Sequence, residues 1–265
     1  MSAKPNFIFI LADDLGHADL GCYGGRAPVS PRLDELAAQG MRFTQGYANS
    51  PVCSPTRFAL ISGRWQYRLR GAAEEPLTGA KARQRDDLGM PPAHPTLPSL
   101  LRDAGWRTAL IGKWHLGFPP LFGPLKSGYD EHFGPYSGGV DYFNHQTMKG
   151  RHDLWENDQP AHVDGYLTDV LSDRAVDFVR RCAGNNQPFL LSLHYTAPHW
   201  PWESRDDAHV PATLGGEIHH PAGGSIHTYR RMIHHMDEGI GRLVDELDRL
   251  GIADDTLIVF TSDNG

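Results

Sequence analysis

Cys53 stands in the run Cys53-Ser54-Pro55-Thr56-Arg57. Pro55 announces a helix start, and a helix N-terminus offers backbone N–H groups and a positive dipole end to an anion. Arg57, one turn on, adds a fixed positive charge suited to oxyanions. A lone cysteine is most often a small buried hydrophobe. A thiol just before a helix start, with a cation one turn away, has instead the setting of a prepared nucleophile.

Other candidates follow apolar runs, where the open sheets of α/β proteins bind their ligands. Asp13 and Asp14 follow NFIFILA, and Asp263 and Asn264 follow TLIVFTS. If these two strands are neighbours, four oxygen-bearing side chains converge, and hard oxygen donors suit Ca²⁺ or Mg²⁺ better than a soft metal. Either pair alone reads as turn or cap residues; two pairs at two strand ends, beside the cysteine run, favour a metal site. GKWHLG places Lys113 and His115 two residues apart, on one face if the chain stays extended, where they would hold oxyanion oxygens and shuttle a proton. In HYTAPHWP, His199 sits among prolines that stiffen the turn, a placement suited to a general acid for a leaving alcohol. His194 lies inside the strand and reads as structural. The pairs His219-His220 and His234-His235 read as helix-face or loop residues rather than metal ligands.

Apolar β-rich runs alternate with helical patterns, which predicts an α/β fold: a mainly parallel sheet with helices on both faces. Strands are expected at residues 6–12, 106–111, 188–195 and 256–262, the last reading as buried, with a weaker one near 42–47. Ser30 as N-cap, Pro31 and Gly40 bound a first helix, and a second begins at Pro55. Further helices fit 96–104, 166–182 and 226–250. In the last, Met232, Ile233, Met236, Ile240, Leu243, Leu247 and Leu250 recur at helical spacing and read as core. Two irregular stretches, roughly 64–95 and 114–163, are long enough to be functional.

The chain has 265 residues, 40% hydrophobic, enough for one large α/β core or two small ones. A net charge of -7 argues against nucleic acid and acidic lipid as partners. Three cysteines, Cys22, Cys53 and Cys182, make no disulfide framework. The apolar run Phe7 to Leu11 is too short to span a membrane and meets Asp13 with no cleavage site. The cytoplasm is the expected compartment, with periplasm or secretion open if the N-terminus is edited.

CSPTRFALISGR resembles the sulfatase signature, CxPxR followed by Gly-Arg. NFIFILADDLG, DLGCYGG, SPRLDELAAQGMRFTQGYA, GWRTALIGKWHLG, TAPHWP and TLIVFTSDNG also occur in the order seen in the sulfatases of the alkaline phosphatase superfamily. The resemblance implies an alkaline phosphatase-like catalytic domain over residues 1–265, acting as an arylsulfatase-like sulfuric ester hydrolase. It implies that Cys53 is converted to formylglycine (3-oxoalanine) by a formylglycine-generating enzyme, and that the hydrated aldehyde attacks the sulfur of a sulfated small molecule or glycan. It further implies Ca²⁺ (or Mg²⁺) on Asp13, Asp14, Asp263, Asn264 and the modified Cys53. Arg57 would steady the hydrated aldehyde, Lys113 bind the sulfate group, His199 protonate the leaving oxygen and His115 help expel sulfate.

The family also has a downstream lysine and a smaller C-terminal subdomain beyond the segment matched by residue 265. A chain without them is expected to turn over weakly. Two other readings of the residues stand beside this one: a phosphatase or phosphonate monoester hydrolase on the same scaffold, and a non-catalytic module for sulfated glycans. Specificity lies in loop residues. Arg64, Trp65, Tyr67, Arg68 and Arg70, with Tyr136, Asp141, Tyr142 and His145, are candidates to line a sugar or aryl pocket or to cover the core.

Overall fold

Almost unbroken apolar character makes Asn6–Ala12 (β1) a strand, and the computed structural model places it next to the edge of a seven-stranded sheet. Residues 4–69, 77, 87–209 and 224–265 are described. The other elements, in chain order, are α1 (Pro31–Gln39), α2 (Cys53–Ser62), α3 (Leu97–Asp103), β2 (Arg107–Gly112), β3 (Glu131–Gly134), β4 (Trp155–Glu156), β5 (Gln159–Pro160), α4 (Leu167–Gly184), β6 (Phe189–His194), α5 (Ile226–Leu250) and β7 (Thr256–Ser262).

The sheet order is β5-β4-β3-β2-β6-β1-β7. β1 runs parallel to β6 and β7, and β2 runs parallel to β6 and β3, so the carboxyl ends of these strands share one rim. β4 and β5 add an antiparallel edge. Alternate residues of β2 serve opposite faces. Ala109 and Ile111 join Ile8, Ile10, Leu191 and Leu193 under α4, α5 and Leu33 of α1, whereas Leu110 packs with Phe58 and Ile61 of α2. The apolar stripe of α5 is buried core from Met232 to Leu247. α3 starts at a capping box, Thr96 with Ser99.

Four expectations need correction. Residues 42–47 form no strand: they lie in a turn, with Phe43 and Tyr47 exposed, because apolar alternation without a ladder partner does not make a strand. The stretch 114–163 contains β3, β4 and β5, whose edge residues Glu156, Gln159 and Pro160 give no apolar signal. α2 begins at Cys53, not Pro55; Pro55 falls in the first turn, where its missing N–H breaks no intrahelical bond. β7 is an edge strand, not a buried one, with Leu257 55% and Val259 39% exposed. Ser30 does occupy the N-cap of α1, but its hydroxyl donates to Asp34 instead of capping. Arg70, His219 and His220 lie outside the described residues. Among the described residues no helix is long and apolar enough to cross a membrane.

Candidate active site

β1 and β7 are in register at Ala12 and Ser262, so Asp13 and Asp263 leave neighbouring strands side by side, both fully buried. The Asp263 backbone N–H donates to the Ala12 carbonyl at 3.0 Å. Asp14 adopts a left-handed conformation with φ 60°, and its N–H donates to Asp263 Oδ1 at 3.3 Å. α2 brings Cys53 in as its first residue, Sγ lying 3.8 Å from Asp14 Oδ1. One side-chain atom from each of Asp13, Asp14, Cys53 and Asp263 falls within 4.8 Å of the others. The Asn264 amide nitrogen donates to Cys53 Sγ at 3.6 Å and to Asp263 Oδ1 at 2.9 Å, so this amide turns its nitrogen, not its oxygen, toward the cluster.

Two buried cations hold the carboxylates. Arg57 Nε donates to Asp263 Oδ2 at 3.0 Å, and Nη2 lies 2.8 Å from the same oxygen. Nη1 donates to the Lys113 carbonyl at 3.0 Å. Lys113 Nζ donates to Asp13 Oδ2. Burial and the neighbouring Asp263 push the Asp13 carboxyl up. Burial acts on Asp263 in the same direction, but Arg57 and Lys113 prevail and hold it down. Burial would strip the proton from Lys113, yet the acidic groups around it, Asp13 foremost, together outweigh burial and the ammonium is kept. The Cys53 thiol is pushed up to about 12 by burial, against the pull of Lys113. As encoded, Cys53 is therefore a neutral thiol at pH 7 and a poor nucleophile.

The chain leaves β2 at Gly112, φ 118°, where any Cβ would overlap the His194 carbonyl. The extended path expected for Lys113 and His115 is thus not followed. His115, with φ 57°, is buried with its Nε2 3.0 Å from the Leu77 carbonyl. With that N–H donated, its Nδ1 is a buried acceptor with no hydrogen-bond partner among the described residues. Burial drives the His115 pKa well below its usual range, and Lys113 and Arg57 add to this, so the ring is neutral. His199 donates from Nδ1 to the Trp200 carbonyl, leaving Nε2 3.7 Å from Asp14 Oδ2. His194, inside β6, is neutral: burial and then Arg57 lower it to about 3.

Asp13, Asp14, Cys53, Asp263, Asn264, Arg57, Lys113 and His199 are therefore brought together, with His115 buried beside Lys113. The sequence reading missed Gly138 and Gly139. A Cβ at Gly138 would come within 2.5 Å of the His115 ring, and one at Gly139 within 3.0 Å of the His199 ring. A Gly-Gly pair in a loop was the only signal, and it is a weak one. Tyr136, Asp141, Tyr142 and His145 are all buried, so they cover the core and do not line an open pocket. Trp65 and Tyr67, by contrast, are exposed and stacked, with ring centres 6.0 Å apart.

The sulfatase family profile matches residues 5–265. The chain belongs to the sulfatase family. It is 35% identical to the N-acetylgalactosamine-6-sulfatase of Sus scrofa and 31% identical to arylsulfatase G of Mus musculus, over 98% and 99% of its own length. It spans about half of those relatives, 50% and 51%. The solved structure of Ps i-CgsB, in complex with k-i-k-neocarrahexaose, superposes with a TM-score of 0.80 at 33% identity, covering 99% of this chain and 59% of that one. Sulfatases generally use a metal ion, and this donor set fits one. The three carboxylates are hard donors, and buried Asp13 Oδ1 has no hydrogen-bond partner among the described residues. Three carboxylates against Arg57 and Lys113 leave one net negative charge, which a divalent cation would reverse to one positive charge facing a sulfate.

Proposed function

We propose that this sulfatase-family chain hydrolyses a sulfate ester and releases inorganic sulfate, and that its substrate is a sulfated glycan or small molecule. One observation carries the reading: Cys53, at the first residue of α2, lies within 4.8 Å of three carboxylates whose counter-cations are fully buried. Naming N-acetylgalactosamine in a relative, and a bound neocarrahexaose in a neighbour, supports the glycan side.

Cys53 is read as the precursor of formylglycine, made by a formylglycine-generating enzyme. A thiol held near 12 attacks poorly, whereas an aldehyde hydrate offers a hydroxyl without needing a thiolate. Ca²⁺, or Mg²⁺, held by Asp13, Asp14, Asp263, Asn264 and the modified Cys53, would acidify that hydroxyl and polarise the sulfate oxygens. For Asn264 this requires its amide to turn over. Arg57 fixes Asp263 and the start of α2. Lys113, anchored on Asp13, has further N–H donors for the oxygens of the sulfate. His199 Nε2, its ring fixed through Nδ1, delivers a proton to the leaving oxygen. His115 Nδ1, a neutral acceptor, takes the proton whose removal frees the sulfate.

Peptide mass spectrometry across Cys53, on protein made with a formylglycine-generating enzyme, tests this. Conversion of thiol to aldehyde, with aryl sulfate turned over in preference to aryl phosphate, is expected. An unmodified Cys53 overturns the formylglycine reading, and preferred phosphate turnover favours a phosphatase.

A further inference from the structure

Behind the two histidines of the site lies a second acidic pair that the reaction does not use. Asp141, in the loop following Gly138 and Gly139, and Glu203, just past the turn that carries His199, are both fully buried. Their side chains are hydrogen-bonded to each other. Neither makes an ion pair among the described residues, and Asp141 Oδ2 and Glu203 Oε1 have no other partner there. Two carboxylates cannot share a hydrogen bond unless one carries a proton.

The pair is wired to His199 through Tyr142. Glu203 Oε2 accepts the Tyr142 backbone N–H at 2.9 Å. The Tyr142 hydroxyl reaches the carbonyls of Thr196 at 2.8 Å and His199 at 3.0 Å, the two ends of the turn that presents the imidazole. The other Asp141 oxygen accepts the N–H groups of Phe143 at 2.9 Å and Asn144 at 2.6 Å, which shapes the loop that lays Gly139 against the His199 ring. Tyr166, at the start of α4, closes the assembly by donating to the Glu203 carbonyl at 2.8 Å.

We propose that Asp141 and Glu203 share one proton and, acting through Tyr142, form a positioning device that fixes the His199 turn for proton delivery. The inference rests on the sulfate ester reading for its catalytic meaning, while the geometry of the pair stands apart from it. Burial and then Asp141 push the Glu203 carboxyl up to about 8. The groups facing it are Asp141, Tyr142 and His145 from the loop, Tyr166 from the start of α4, Arg205 and Asp207 from the following 3-10 turn, and His235 of α5 against Tyr166. Loss of the shared proton places two negative charges in this pocket and loosens the turn.

The test compares Glu203→Gln, whose amide still donates to Asp141, with Glu203→Ala in the full chain. Expected for Glu203→Ala is a fall in kcat on the order of tenfold to a hundredfold with KM little changed. Glu203→Gln should stay within about threefold of the parent and lose the alkaline limb expected of the parent near pH 8. Equal loss in both variants, or an unchanged alkaline limb in Glu203→Gln, overturns the proposal.

Two readouts do not depend on turnover and separate this inference from the sulfatase reading. In histidine-labelled protein at pH 7, the His199 ring signal, assigned by its loss in His199→Gln, should move in Glu203→Ala and stay in place in Glu203→Gln. Movement in neither variant overturns the positioning role. A carboxyl whose pKa is raised in the fold stabilises at low pH and loses that contribution as pH rises, here from about 4.5 to about 8. The Tm of the parent should therefore drop relative to Glu203→Gln by about 10 °C between pH 5 and pH 9. A constant difference overturns the shared proton even if Glu203→Ala fails to fold.

Discussion

Two regions of this protein are built from the same pairs of charged side chains and behave differently. At the carboxyl rim of the sheet, Arg57 meets Asp263 and Lys113 meets Asp13 with 0% to 1% of each side chain exposed. Along the outer seam of α4 and α5, Arg242 meets Asp173 at 2.5 Å with 49% and 62% exposed. On the seam, water screens the charges and the pairs contribute little. At the rim, charges have been taken out of water at a cost of several kcal/mol per ion, and attraction returns that only while every partner is present. Fold stability alone gives no reason to place four charges there, so the rim marks a site kept for chemistry.

The sharpest way to break this contrast is Arg57→Met, which leaves Asp263 and Asp13 short of a counter-charge in the interior. Urea unfolding should show a loss of about 3–5 kcal/mol. Lys113→Met should cost turnover more than fold, with kcat for a sulfate ester falling on the order of 10²–10³, because the donor proposed for the sulfate oxygens is removed. A loss confined to KM would instead make Lys113 a ground-state binder.

The inner histidines sharpen the contrast through pH. His132 is held neutral by burial, with its pKa lowered to about 4. A group depressed in the fold gives stability that is full above its unfolded value, about 6.5, and lost as pH falls toward 4. Unfolding midpoints should therefore drop between pH 6.5 and 4, by about 3 kcal/mol for this residue, and His132→Gln should flatten that slope. Smallest of all, Arg242→Ala should change stability by about 0–1 kcal/mol, and less in high salt. A larger, salt-insensitive loss would show that the seam is not screened as its exposure indicates.

Much of the fold was legible because long apolar runs and helical stripes are strong signals. β1, β6, α4 and α5 fall within two residues of their expected bounds. Residues 42–47 were misread because a β-like pattern says nothing about whether a partner strand lies alongside. β4 and β5 were invisible because two-residue edge strands bury almost nothing. The site was legible residue type by residue type, since Asp, Asn, Lys and His stand directly after those runs. The loop behind it was not. Gly138, Gly139 and Tyr142 act through close approach and one hydroxyl, and neither leaves a periodic trace in sequence.

Taken alone, the sequence determined a parallel α/β sheet, the rim where its polar residues collect, and the family whose motif order it carries, because these depend on local periodicity and fixed spacing. Tertiary structure decided the rest. The pairing of β1 with β7 set Asp13 beside Asp263, burial chose Arg57 and Lys113 as their counter-cations, and packing turned Asp141 and Glu203 toward each other. Such choices depend on which charges share a low-dielectric interior, and residues 100 or 250 positions apart meet there only once the sheet has formed.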